Sequence, residues 1–234
     1  MKKNDKNQIV LTQAEISQVI SLYSNGKIDK AIEEVKKLNE RFPNVPLLFN
    51  IIGACYKAKG DFEASAKMFT NAVSIKPDYA EAHFNLGVVS RGLGKKDFAI
   101  ECYLTAIKIQ PNYPDAHNNL GNLYREISNF DDAVESYEWA IAYKHDFFQA
   151  YNNLAICQME NNLNDLAIIN YEKAIKINPN YIDAHFNSGL LFKSLDNFQQ
   201  AINSFNHVLN INPEHVQAKN NLIEIEKMLN TTLK

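Results

Sequence analysis

Small and apolar residues recur along this chain at a fixed interval of 34 residues, and polar residues fill most positions between them. Five of the seven prolines mark the same interval: Pro43, Pro77, Pro111, Pro179 and Pro213. The one interval without a proline has His145 at the equivalent place. Because proline removes a backbone donor and stops a helix, each of these sites predicts a junction between helical pieces. A fixed period of this length predicts a repeat architecture.

Placing the recurring proline at position 32 divides the chain into six repeats without insertion or deletion: 12–45, 46–79, 80–113, 114–147, 148–181 and 182–215. Position 20 is alanine or serine in every repeat, position 24 is aromatic in five, and position 27 is apolar throughout. These positions lie on one helical face at i, i+4 and i+7. Position 8 is glycine in four repeats, which lets two helices approach closely. The pattern predicts one helical hairpin per repeat.

Position 15 follows the first predicted helix of each repeat. Its residues are Gly26, Gly60, Gly94, Ser128, Asn162 and Asp196. Glycine adopts left-handed backbone angles without strain, asparagine and aspartate tolerate them moderately well, and serine tolerates them less. We therefore expect a tight turn with a positive φ at position 15.

The two ends of the array also carry signals. The segment Thr12-Gln13-Ala14-Glu15 has the form of a capping box and predicts the start of the first helix, after a flexible polar tail at 1–11. Residues 216–234 begin another helix, with no second helix to follow it. Three apolar residues can pack backward on the array: Leu222, Ile225 and Leu229. We expect a capping helix, because an open end would expose the core.

The segment Asn119-Leu120-Gly121-Asn122-Leu123-Tyr124, with Ala133, Tyr137 and Ala140 downstream, resembles the consensus of the tetratricopeptide repeat. The resemblance covers residues 12–215 and recurs in phase over five to six repeats. It implies an all-α fold, a right-handed α-solenoid of helix-turn-helix hairpins with a C-terminal capping helix. The first repeat is the weakest match, as expected of a terminal repeat.

In tetratricopeptide arrays the first helices line a concave groove, and the resemblance places positions 5, 6 and 12 there. Position 6, with its equivalent in the capping helix, holds Asn85, Asn119, Asn153, Asn187 and Asn221. Position 5 holds Asn50, Asn118 and Asn152. A side-chain amide both donates and accepts, so such a row can bind a peptide backbone of any sequence. The row resembles the asparagine ladder in the repeat arm of O-linked N-acetylglucosamine transferases; the alternative interpretation is hydrogen bonding between repeats.

A row of basic residues at position 12 runs beside the asparagines: Lys57, Arg91, Arg125 and Lys193. One interpretation is selection of ligands that carry acidic residues. The other is a solvated surface whose charge is balanced by the neighbouring Glu126 and Glu160. The sequence leaves both open.

Composition and charge exclude several kinds of partner. A net charge of −3 and a pI near 6.1 argue against nucleic acid. No stretch approaches the roughly 18 apolar residues of a membrane span, and Ile9-Val10-Leu11 is too short for a signal-peptide core, so we expect a cytoplasmic protein without a membrane partner. The cysteines Cys55, Cys102 and Cys157 lack disulfide or metal spacing and are expected to be inert buried thiols.

No constellation of residues predicts catalysis, a metal or another cofactor. His83, His117 and His185 recur at position 4, but neighbouring helices pack about 8–10 Å apart, too far for these side chains to converge on one ion. The sequence contains no phosphate-binding glycine loop and no nucleophile with a recognisable base. We expect the histidines to serve packing.

Two functional interpretations remain, with a third one weaker. The first is a non-catalytic scaffold that binds a peptide or protein segment, of unknown identity, in the groove. The alternative is the N-terminal substrate-recruiting arm of a larger glycosyl-, sulfo- or methyltransferase. The third is weak self-association through Trp139, which position 26 places on the outer face; tryptophan favours interface hot spots, although a lone exposed tryptophan needs no explanation.

Overall fold

The computed structural model describes residues 11–232, which form thirteen α-helices and no strand. The helices are α1 Gln13–Ser24, α2 Ile28–Arg41, α3 Pro46–Ala58, α4 Phe62–Ile75, α5 Ala80–Gly92, α6 Lys96–Ile109, α7 Pro114–Glu126, α8 Phe130–Tyr143, α9 Phe148–Glu160, α10 Asn164–Ile177, α11 Ile182–Ser194, α12 Phe198–Ile211 and α13 Val216–Thr232. The predicted all-α fold is confirmed. Of the predicted N-terminal tail, residues 1–10 lie outside the described residues, as do the last two residues of the chain.

The helices belong to two compact units, one up to Pro111 and one from Asn112 onward. The N-terminal unit contains α1–α6 and the C-terminal unit contains α7–α13. Within each unit, consecutive helices pack as hairpins, and the second helix of one hairpin packs on the first helix of the next. This is the helix-on-helix packing that the recurring small positions predict.

The glycine at position 8 lies against the aromatic side chain at position 24 of the same repeat. A Cβ on Gly53 would lie 2.7 Å from Cε1 of Phe69, and a Cβ on Gly121 would lie 2.8 Å from Cε1 of Tyr137. Real Cβ atoms essentially never approach another atom so closely. Both aromatic side chains are fully buried. The glycine therefore makes room for the ring that fills the centre of each hairpin.

The turn inside each hairpin has the backbone that the sequence predicts. Position 15 has a positive φ in all six repeats: Gly26 70°, Gly60 78°, Gly94 75°, Ser128 60°, Asn162 59° and Asp196 56°. Ser128 is the least suited of these residues to the left-handed region.

Both predicted end structures are present. Thr12 caps α1: its hydroxyl accepts from the Glu15 N–H at 3.3 Å, and the Glu15 carboxylate accepts from the Thr12 N–H at 2.9 Å. In α13, Ile225 is fully buried in a cluster with Phe205. The expectation for Leu229 is wrong, because this side chain is 39% exposed. No further helix in the described part of the chain covers that stretch of α13.

Candidate functional site

The asparagines of the N-terminal unit are hydrogen-bonded to one another. The Asn85 amide on α5 donates to the Asn50 carbonyl oxygen on α3 at 3.3 Å. Asn50 in turn donates to Glu81 at 3.0 Å, and Lys57 donates to the Asn85 oxygen at 3.1 Å. Both asparagines are buried. Each amide therefore uses its donor and its acceptor within the chain, as buried polar groups require.

The C-terminal unit repeats the same bond across three first helices. Asn153 on α9 donates to Asn118 on α7 at 3.0 Å. Asn187 on α11 donates to Asn152 on α9 at 3.2 Å, and Asn152 donates to Asn153 at a longer 3.5 Å. In each inter-repeat bond, the asparagine at position 6 donates to the asparagine at position 5 of the preceding repeat. These contacts favour the interpretation that the row ties neighbouring repeats together.

The row nevertheless retains open hydrogen-bonding atoms. The position-5 residues Asn118 and Asn152 are buried, whereas Asn119, Asn153 and Asn187 at position 6 are only half-buried. Among the described residues, the Asn119 side chain makes no hydrogen bond, and no donor reaches Oδ1 of Asn187. A half-buried amide with an unused donor or acceptor can offer that atom to a ligand.

The basic row at position 12 is engaged within the chain. Lys193 donates to Oδ1 of Asn221 at 2.7 Å and also contacts Glu224, while Arg125 pairs with Glu160 at 2.7 Å. Arg91 also has a partner within the chain. The lysine–asparagine bond joins position 12 to position 6 of the next repeat, as Lys57 does with Asn85.

Met159 interrupts this basic row, because it stands at position 12 of the fifth repeat. The asparagine that follows it in the next repeat is Asn187, whose oxygen therefore receives no lysine. The open acceptor has a sequence signal, namely a methionine at position 12 where the second, third, fourth and sixth repeats carry lysine or arginine.

Local electrostatics match these contacts. Burial lowers the pKa of Lys57 below its ordinary value, and the charge of Glu81 partly offsets that effect. The hydrogen bond from Lys193 lowers the pKa of the Glu224 carboxyl. Because Arg125 and Lys193 face carboxylates within the chain, we expect little selection for acidic ligands from them.

The histidines at position 4 bind the carbonyl of a junction proline. His83 Nε2 lies 2.9 Å from the Pro77 oxygen, and His185 Nε2 lies 2.9 Å from the Pro179 oxygen. Sequence reasoning predicted packing and missed this bond, although the fixed offset of six residues between proline and histidine was a visible signal. No group of three or more potential ligands in residues 11–232 could hold a metal ion.

The three cysteines are buried free thiols, as predicted. Burial raises the pKa of Cys55 and of Cys157 to about 11, and that of Cys102 to about 12. Thiols with such pKa values are poor nucleophiles at neutral pH. None of the described helices is both long and apolar enough to cross a bilayer.

Trp139 on α8 is 46% exposed, in agreement with its predicted outer position. Its ring stacks on Tyr143 with centroids 5.7 Å apart, and the His117 ring lies 6.4 Å from it. These three aromatic side chains form a cluster on the C-terminal unit.

Comparison with sequence families gives consistent matches. Models described as TPR repeat match residues 53–94 and 91–128, and models described as tetratricopeptide repeat match residues 118–182 and 182–215. No curated protein is significantly similar to the chain in sequence.

Several solved structures have the same fold. MamA is 26% identical, with a TM-score of 0.64 over 72% of this chain and 96% of MamA. PilW, a type IV pilus biogenesis factor, is 18% identical, with a TM-score of 0.81 over 90% of this chain and 99% of PilW. YrrB, a TPR protein with an unusual peptide-binding site, is 16% identical, with a TM-score of 0.63 over 80% of this chain and 96% of YrrB. The last two similarities concern the fold alone.

Proposed function

The chain belongs to the tetratricopeptide repeat family, and from this membership we propose that it is a non-catalytic scaffold that binds an extended protein segment along its first helices. One observation carries the proposal: the C-terminal unit has a row of half-buried amides on successive first helices. The row consists of Asn119, Asn153, Asn187 and Asn221. YrrB is a precedent, at the level of the fold, for a peptide-binding site on such repeats.

The spacing of the row suits an extended backbone. Neighbouring helices pack about 8–10 Å apart, and an extended chain advances about 3.3–3.6 Å per residue, so one repeat spans roughly three ligand residues. Asn119 and Asn187 lie two repeats apart, which corresponds to about five or six ligand residues. Two fixed points at this distance hold a strand in one register.

The amide donors and acceptors that make no hydrogen bond among the described residues decide what the row can bind. Asn119 has a complete amide for a ligand, so it can donate to a backbone carbonyl and accept from a backbone N–H. Oδ1 of Asn187 can accept one ligand N–H. Asn153 donates to Asn118 on α7, and Asn221 accepts from Lys193 on α11, so both already join neighbouring helices. The ligand is thus recognised mainly through its backbone, and its side chains add selectivity at the rim.

The test uses a displayed library of random peptides of about 12 residues, long enough to follow four helices. The library is selected on the Trp139→Ala protein, so that no peptide is selected for binding to the Trp139 ring. Asn119→Ala should weaken the selected peptides by about five- to tenfold, because one or two hydrogen bonds are lost. Its melting temperature should equal that of the wild type, since the side chain has no hydrogen bond to lose.

The matched control is Asn206→Ala. Asn206 is exposed on α12, a second helix, and its side chain makes no hydrogen bond among the described residues. This variant should bind the selected peptides with wild-type affinity. Equal binding by the wild type and Asn119→Ala, measured by calorimetry, would contradict the proposal and leave the row a purely structural device.

A further inference from the structure

The outer face of α8 differs from the same face of every other repeat. Trp139 and Tyr143 are 46% and 38% exposed and stack on each other. No other repeat has tryptophan, tyrosine or phenylalanine at position 26, where the residues are Lys37, Asn71, Thr105, Lys173 and His207. An exposed tryptophan stacked on a tyrosine is therefore particular to the fourth repeat.

This face is also acidic. α8 carries four carboxylates and no lysine or arginine: Asp131, Asp132, Glu135 and Glu138. The indole N–H of Trp139 points at the Glu135 carboxylate, 3.4 Å away. Asp132 already accepts from Asn129 at 2.6 Å. The carboxylates of Glu135 and Glu138 thus lie beside the exposed ring, with no cation of α8 to neutralise them.

A groove with both polar and apolar lining residues adjoins the Trp139 ring and its carboxylates. Glu138 and Ala142 line a depression beside Trp139 and also a neighbouring groove of about 390 Å³. Leu166 and Ile169 of α10 form the far wall of that groove, and each is 46% exposed.

The groove has one cation on its α10 side. Lys173 lies over the Tyr151 ring at 5.6 Å and donates to Asn170 at 3.5 Å. It is therefore held on the floor and wall of the groove rather than beside the indole. The acidic and apolar parts remain continuous through Glu138 and Ala142.

We propose that this surface, which we call the α8 face, binds a protein segment that presents an arginine next to aliphatic residues. The guanidinium would lie on the Trp139 ring, where cation–π attraction is strongest among aromatic residues, and would pair with Glu135 or Glu138. The aliphatic neighbours would cover Leu166 and Ile169. Arginine and tryptophan are the residue types most enriched at the energetic centres of interfaces.

The N-terminal unit contains a natural control for this proposal. A groove in the same register lies between α4 and α6, and its wall residue Phe98 is 45% exposed at the position that Leu166 holds in the fifth repeat. There Asn71 of α4 stands where the α8 face has Trp139, and Thr70 stands where it has Glu138. Lys67 stands where the α8 face has Glu135, so the control groove lacks the ring and both carboxylates.

Trp139 is the only tryptophan in the chain, so its fluorescence reports on this surface without any label on the protein. A random peptide library is selected on the Asn119→Ala protein, and the peptides that shift Trp139 emission are sequenced. We expect these peptides to carry arginine beside leucine, isoleucine, valine or methionine. With labelled peptides and anisotropy as the readout, Glu135→Gln/Glu138→Gln and Trp139→Ala should each weaken binding by about tenfold. Phe98→Ala should leave the affinity unchanged.

Three results would overturn the inference. The first is that no selected peptide shifts the emission, or that those that do show no preference for arginine. The second is that the glutamine double variant, folded to the same melting temperature, binds as tightly as the wild type. The third is a shift of emission and of sedimentation coefficient with protein concentration alone, abolished by Trp139→Ala, which would assign the α8 face to a second copy of the chain. Because the library is selected on Asn119→Ala, a failure here is independent of the first-helix proposal.

Discussion

At the scale of single residues, two tyrosines at position 24 have different surroundings. The Tyr137 hydroxyl donates to Asn122 at 2.8 Å. The Tyr171 hydroxyl is buried without a hydrogen-bond partner among the described residues, and the place of Asn122 is taken by Ile156 in its repeat. Burial raises the pKa of both hydroxyls, so both are neutral at physiological pH. Two nearly equivalent rings therefore differ in their hydrogen bonding, since the Tyr137 hydroxyl also interacts with Arg125.

This difference predicts opposite effects of the same substitution. Tyr171→Phe should raise the free energy of unfolding by about 1 kcal/mol, because it removes a buried polar group without a partner. Tyr137→Phe should lower the free energy of unfolding by about 1 kcal/mol, because the substitution removes the hydrogen bond to Asn122 and leaves the Asn122 oxygen without that donor. Urea unfolding followed by circular dichroism gives both values. A shift in the same direction for the two variants would refute the assignment.

The asparagine row shows what the sequence predicts about a residue and what it does not. The sequence predicted amides in register along the first helices, and within each unit asparagines bond from one repeat to the next. It could not decide which amide donates to which, because the bonds join side chains of different repeats and depend on the packing of two helices and on rotamers. It also could not distinguish, in the C-terminal unit, the buried position 5 from the half-buried position 6, since both are asparagine.

At the scale of the element, the hairpin was predictable almost in full. The small residue at position 8, the aromatic at position 24 and the turn residue at position 15 act locally, so each can be understood without the rest of the fold. Leu229 shows the limit of this reasoning. Its helical phase is that of a buried residue, but burial depends on a neighbouring helix, and that neighbour is absent from the described residues.

The turns give a prediction at this scale. Ser128→Gly should stabilise the fold by about 0.5–1 kcal/mol, because serine has a φ of 60° that glycine adopts without strain. Gly60→Ala should destabilise it by about 1 kcal/mol for the same reason. A Cβ on Gly60 meets nothing within 4 Å, so the effect comes from the backbone alone. Thermal and urea unfolding measure both variants; unchanged stability of Gly60→Ala would show that the turn does not constrain φ.

At the scale of the whole molecule, the repeats present two chemically different surfaces in the C-terminal unit. The first helices carry the neutral amide row, which suits a backbone. The second helices carry the α8 face, which suits an arginine beside aliphatic side chains. The first surface rests on a feature shared by most repeats, whereas the second rests on a departure of one repeat from the pattern. A scaffold with both could hold two protein segments at once.

If the amide row binds a ligand through its backbone, replacing single backbone amides of that ligand by esters will weaken binding. A peptide selected on the Trp139→Ala protein is remade with single backbone amides replaced by esters, which removes one N–H at a time. Calorimetry should show losses of about five- to tenfold at two sites about five or six residues apart, and the loss at the site that faces Asn119 should disappear in Asn119→Ala. If every ester peptide binds like the parent peptide while side-chain truncations abolish binding, the amide row does not bind the ligand's backbone.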